Sequence, residues 1–129
     1  MEQKTLMDAL VQMKRTGNLL NELLDLTQQL GQAIDRNDQV SIQLLVAMRE
    51  EPLEKLQAAD QAVRDQMQEI PDPEESARLA RLLNGSPPEG DQEKMLSEQA
   101  AANRRRLKQV MDLDRLLNQR MAREKSAYE

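Results

Sequence analysis

The stretch that decides the fold is Asp91–Glu129, DQEKMLSEQAAANRRRLKQVMDLDRLLNQRMAREKSAYE, which contains neither proline nor glycine. Its apolar residues recur at helical spacing: Leu96, Ala100, Leu107, Val110, Leu117 and Met121. Asn103 and Asp114 intrude on this line, and Leu113 and Leu116 widen it to one side. Alternating steps of three and four describe the seam of a helix that packs on other helices. The expected element is the longest helix of the chain, over about 91–127. Its first half, with Leu96, Ala100 and Leu107, is expected in the core. Its second half, interrupted by Asp114, is expected to be less buried. The same stretch is the most basic part of the molecule. From Arg104 to Lys125 eight bases stand against three acids, a net charge of +5 in a chain whose total is −5. Two readings of that charge stay open. A basic helix can lie beside acidic ones, with its C-terminal bases complementing the macrodipole, or it can present a docking face to an acidic partner segment.

The rest of the composition agrees with helices. Aromatic residues make up 1% of the chain, a single Tyr128, so Leu, Met, Val and Ala must fill any core. Rings usually supply much of the buried mass of globular cores, and a thin helical seam manages without them better than a sheet does. Leu, Ala, Gln, Glu, Arg and Met dominate, and all are strong helix formers. The methionines are expected mainly to fill this aromatic-free core, with Met111 and Met121 as the exposed minority. There is no cysteine and no histidine. Disulfides, thiolate nucleophiles and the commonest general base and metal ligand are therefore missing. No apolar run approaches the ~20 residues of a membrane-spanning helix. MEQKTLMDAL lacks the basic-then-apolar layout of a secretory signal, so a cytoplasmic protein is expected. The acidic balance argues against general nucleic-acid binding.

Working back along the chain, residues 2–34 predict a first long helix. Leu6, Leu10, Met13, Gly17, Leu20 and Leu24 form one line, joined by Leu19, Leu23, Leu26, Leu30 and Ile34. Two adjacent stripes imply two neighbours. Gly17, on the seam, is either a point of close helix approach or a tolerated weak position. Asp35-Arg36-Asn37-Asp38 is too short for anything but a tight turn, and Asn37 or Asp38 can cap the next helix. A second helix is expected over about 39–70, with Val40, Leu44, Leu45, Met48, Pro52, Leu56, Ala59, Val63, Met67 and Ile70 on its stripe and a kink at Pro52. Asp72, Pro73 and Glu75 predict the start of a short helix over 73–84. Residues 84–90, rich in Gly and Pro, form a loop, and Asp91 can cap the last helix. The expected fold is all-α: an up-down-up antiparallel bundle of three long helices, with a short helix in the second crossover, in a single domain over 1–129.

Catalytic chemistry is not visible. Glu50-Glu51 and Glu74-Glu75 are adjacent pairs, which do not face each other on a helix. The serines have no histidine partner, the glycines form no phosphate loop, and no metal site or cofactor is expected. The chain reads as a binding protein, not an enzyme.

The layout resembles the FlgN-type flagellar type III export chaperones. The residues that carry the resemblance are the leucine-rich NLLNELLDLTQQLGQAI, the turn DRND, the helix LLVAMREEPLEKLQAADQAVRDQM, the Pro/Gly-rich crossover with its short helix, and MLSEQAAANRRRLKQVMDLDRLL. The resemblance implies a cytoplasmic chaperone that binds the C-terminal helical region of hook-associated flagellar proteins and delivers them to the export apparatus, without nucleotide or metal. It implies cargo contact by the last helix, which maps onto Leu107, Val110, Met111, Leu113, Leu117 and Met121. Such a chaperone is expected to be monomeric or weakly self-associated. A structural or regulatory bundle that self-associates through the last helix is the competing reading. An RNA contact through Arg104–Arg106 ranks last, because aromatics for base stacking are absent.

Overall fold

The first helix ends as its sequence dictates. In a computed structural model that describes residues 1–128, with side chains through Arg123, α1 spans Gln3–Asp35. Asn37 then takes a left-handed conformation at φ 54°. The amide of Asn37 donates to the Ile34 carbonyl and that of Asp38 to the Ala33 carbonyl, both at 3.0 Å. This pair of bonds is the Schellman arrangement, with asparagine in the place glycine usually takes. Asp38 starts α2, Gln39–Met48. Its carboxylate accepts from the Ser41 hydroxyl at 2.6 Å and the Ser41 amide at 3.1 Å, and these bonds hold its pKa below the ordinary carboxylate value.

The expected kink of a single second helix is an interruption one turn earlier, at Arg49. α2 stops at Met48 and α3 runs Glu50–Glu69. Pro52 has no N–H to give the Met48 carbonyl four residues before it. Arg49 nevertheless keeps helical angles, φ −73° and ψ −18°. Its amide still bonds the Leu45 carbonyl and its carbonyl still receives Leu53 N–H, so the helical phase carries across.

α4 spans Pro73–Leu83, with Asp72 accepting from the Glu74 amide at 2.9 Å. Glu75, the expected capping-box partner, instead accepts the Glu2 amide at 2.8 Å and ties the start of α1 to α4. α5 spans Asp91–Tyr128. Asp91 is its first residue rather than its cap: the Gly90 carbonyl accepts from Lys94 N–H, and the Glu93 carboxylate reaches back to the Glu89 amide at 3.2 Å. The side chains after Arg123 lie outside the described residues.

All five elements are helices, and no strand occurs among the described residues. The core is organised around α1 rather than α5. α1 packs on α2, α3 and α5, whereas among the described residues α5 does not approach α2 or α3 at backbone distance. One cluster joins Leu6, Ala9 and Leu10 of α1 to Leu79 and Leu82 of α4 and Leu96 of α5, with Met67 and Ile70 against it. A second joins Leu26, Leu30, Ala33 and Ile34 to Leu45 and Leu117, with Ile42, Leu113 and Met121 alongside. The methionine expectation holds in part: Met13 and Met67 pack on the first cluster and Met111 is exposed, but Met7, Met48 and Met95 are exposed too, and Met121 is packed. The lost aromatic volume is made up by leucine.

Candidate partner-binding surface

α5 is positioned by a strict seven-residue line. Leu96, Asn103, Val110 and Leu117 are all buried against α1. Helices in left-handed contact return the same face to a neighbour every seven residues. Asn103 is the fixed point of this line. Its Nδ2 donates to the Met13 carbonyl at 2.8 Å, and its Oδ1 accepts from Gln99 at 3.0 Å. Gly17 makes room for it: a Cβ there would lie 2.9 Å from Asn103 Oδ1. Of the two readings of Gly17, close approach is the one the geometry supports.

This geometry divides the six predicted contact residues. Val110 and Leu117 are 4% and 1% exposed and belong to the core. Leu113 and Met121 are half-buried on the second cluster. Only Leu107 and Met111, at 46% and 54%, are presented to solvent. Leu107, expected in the core of the first half, is therefore outside it, and Leu117, expected on the partner face, is inside. The reason is that α5 leans mainly on α1, so after Ala100 only one of its two heptad lines is fully buried. Asp114 lies on the uncovered line and pairs with Arg49 at 2.8 Å. Leu116, also exposed, points to the other side of α5.

The charges of α5 do not simply answer those of its neighbours. Arg120 pairs with Asp35. Arg104 donates to the Leu83 carbonyl and Arg106 to the side chain of Gln109, both neutral acceptors. Among the described residues, no salt bridge involves Arg105, Lys108 or Arg115, which flank Leu107 and Met111. Deeper in the fold, Glu93 pairs with Arg78 at 2.6 Å. Burial pushes the Glu93 pKa up, but the Arg78 hydrogen bond and charge and the Glu89 amide outweigh it and hold the group below its ordinary value.

A second apolar surface lies on α2 and the start of α3. α2 carries no charged residue, yet Leu45 is its one buried side chain. Val40, Leu44 and Met48, placed on the core stripe by spacing, are exposed, as are Val46 and Leu53 on the opposite flank. When nearly every residue of a helix is apolar, periodicity cannot fix its phase. Here the phase is set by Leu45, Pro52 and Ala59, seven apart and all buried. The absence of charge from ten residues of a chain that is 32% charged was the available signal.

The chemical groups elsewhere are dispersed. No group of three or more acidic, histidine or cysteine side chains gathers with metal-binding geometry among the described residues. Glu51 is paired with Lys55 at 2.7 Å, an exposed contact within α3. Among the described residues, no helix is long and apolar enough to cross a membrane. A polar recess of about 320 Å³ between α1 and α5 is lined by Lys14, Asn18, Asn21, Gln99 and Asn103 around Gly17. Comparison with protein-family models, with curated proteins and with solved structures finds no match.

Proposed function

We propose that this protein is a cytoplasmic export chaperone that binds hook-associated flagellar proteins through their C-terminal helical region and hands them to the flagellar type III export apparatus. The observation that carries the reading is the line Leu107–Met111, half exposed and flanked by Lys108 and Arg115, which have no acidic partner among the described residues. An amphipathic helix displayed on a helical scaffold binds a partner helix through such i, i+4 anchors. The sequence resemblance supplies the identity of the cargo. The pairing of the ends supports an up-down-up course: the start of α1 meets the start of α5 and the end of α3, and its last turns meet α2 and the later part of α5. The reading needs no cofactor, metal or nucleic acid. Its test is co-purification from flagellated cells. A hook-associated protein should accompany the wild-type chain and be absent from a Leu107→Glu/Met111→Glu variant; equal recovery with both would refute the assigned surface.

Leu116 favours a second reading. It gives α5 an exposed apolar residue on the side away from Leu107 and Met111, which suits self-association of two copies through α5. Light scattering on dilution separates the two readings: a chaperone is monomeric at low concentration, and a structural oligomer is not.

A further inference from the structure

Besides α1, α4 is the element that touches both α3 and α5 among the described residues. It fills the space between them over the first half of α1, where Leu79 and Leu82 meet Leu6, Ala9, Leu10 and Leu96, with Met67 and Ile70 alongside. Its seat on α5 is marked by the Arg78–Glu93 pair and by Arg104, which bonds the Leu83 carbonyl. Its seat on α3 is marked by the Ser76 hydroxyl, which donates to the Met67 carbonyl at 3.1 Å.

Both seats continue beyond α4. Fourteen residues after Glu93 is Leu107, and seven after Arg104 is Met111. Fourteen and twenty-one residues before Met67 are Leu53 and Val46. All four side chains are exposed, at 41–54%. Residues seven apart share a face of a packed helix, so these four lie on the continuation of the faces of α3 and α5 that hold α4, over the second half of α1. An independent contact fixes the register of the two walls. Asp114, twenty-one residues after Glu93, meets Arg49, twenty-one before Ile70, at 2.8 Å. The Nε of Arg49 is buried there with no hydrogen-bond partner, a donor that native structures rarely leave unanswered.

The charges at the rim describe the occupant. Lys108 and Arg115 border Met111 on the α5 wall, and Glu50 and Glu54 border Leu53 on the α3 wall. All four are exposed, and none forms a salt bridge among the described residues. We infer that this groove docks an amphipathic helix of a partner protein, laid end to end with α4, with an apolar stripe on Leu53, Val46, Leu107 and Met111, an acidic edge toward α5 and a basic edge toward α3. The inference deepens the proposed function, which names the protein that supplies the helix.

The test is fluorescence anisotropy of the full chain with synthetic amphipathic helices of about 14 residues, some 20 Å long. All share one leucine stripe; one has an acidic and a basic edge, one has two acidic edges and one has two basic edges. The bipolar helix should bind about tenfold more tightly than either of the others. Leu53→Glu and Leu107→Glu, checked for folding by circular dichroism, should each weaken it about tenfold, as loss of a buried anchor does. Equal affinity for the three peptides, no binding, or binding indifferent to Leu53→Glu would overturn the groove. So would a homodimer of the unliganded chain that Leu53→Glu and Leu107→Glu each dissociate, since the occupant would then be a second copy. Bipolar binding without capture of any hook-associated protein keeps the groove and removes the export reading. Capture that survives Leu53→Glu does the reverse.

Discussion

Replacing Gly17 by alanine sets two effects of similar size against each other. In the interior of α1, alanine is favoured over glycine by about 1 kcal/mol. Against that, the new Cβ would lie 2.8 Å from Gln99 Nε2 and 2.9 Å from Asn103 Oδ1. Gln99 is half exposed and can turn away at little cost. Asn103 is 7% exposed and tied to the Met13 carbonyl. Moving it leaves a buried amide without its partner, which costs about 1–3 kcal/mol. The net expectation is a loss of about 1 kcal/mol, or roughly 3–5 °C in Tm for a chain of this size. The decisive comparison repeats the substitution on an Asn103→Ala background, where the obstacle is gone and alanine should stabilise. Urea unfolding followed by helical circular dichroism gives all four corners of the cycle, with an expected coupling of about 2 kcal/mol. If Gly17→Ala stabilises both backgrounds equally, the Asn103 contact does not constrain the approach of α5 to α1.

Three further outcomes follow from the same geometry. Leu117→Ala should cost about 2–5 kcal/mol in chemical denaturation, because it empties a filled core position, while Leu107→Ala on the exposed line should stay within about 0.5 kcal/mol. The Glu93 carboxyl has a folded-state pKa below its ordinary 4.5. Its contribution to stability is therefore complete above that value and disappears as pH falls through the lowered one; Glu93→Gln should flatten this part of the acid-denaturation curve. Asp38→Ala removes the cap of α2 and should cost about 1 kcal/mol, seen as faster amide exchange of Ser41.

Much of this arrangement was legible in the residues because it depends on local chemistry. The turn at Asp35–Asp38, the start at Asp72–Pro73 and the span of α1 each follow from caps, prolines and periodicity confined to a few residues. The phase of α5 was not legible. A three-four stripe offers two lines per heptad, and both are buried only where neighbours stand on both sides. Beyond α4, α1 is the helix that meets α5 at backbone distance among the described residues, so Leu107 falls outside and Asp114 reaches only the Arg49 side chain, while Val110 and Leu117 stay in. The sequence of α5 does not contain that information, which lies in the length of α4. For the same reason α1, with neighbours on two sides, is the organising helix. Val46 could not be found from spacing either, because seven of the ten residues of α2 are apolar. Removing everything after Asp112, a natural truncation for a partner-binding tail, would take Leu117 from the core along with it. Point substitutions on the exposed line are the cleaner probe.

The central claim is that the exposed line of α5 receives a helix from an export substrate. Titration calorimetry of the full chain against the isolated C-terminal helical region of a hook-associated protein tests it most directly. One-to-one binding is predicted, weakened at least about tenfold by Leu107→Glu/Met111→Glu and unchanged by Leu116→Glu. No heat of binding from the folded wild-type chain, or binding indifferent to Leu107 and Met111, would contradict it.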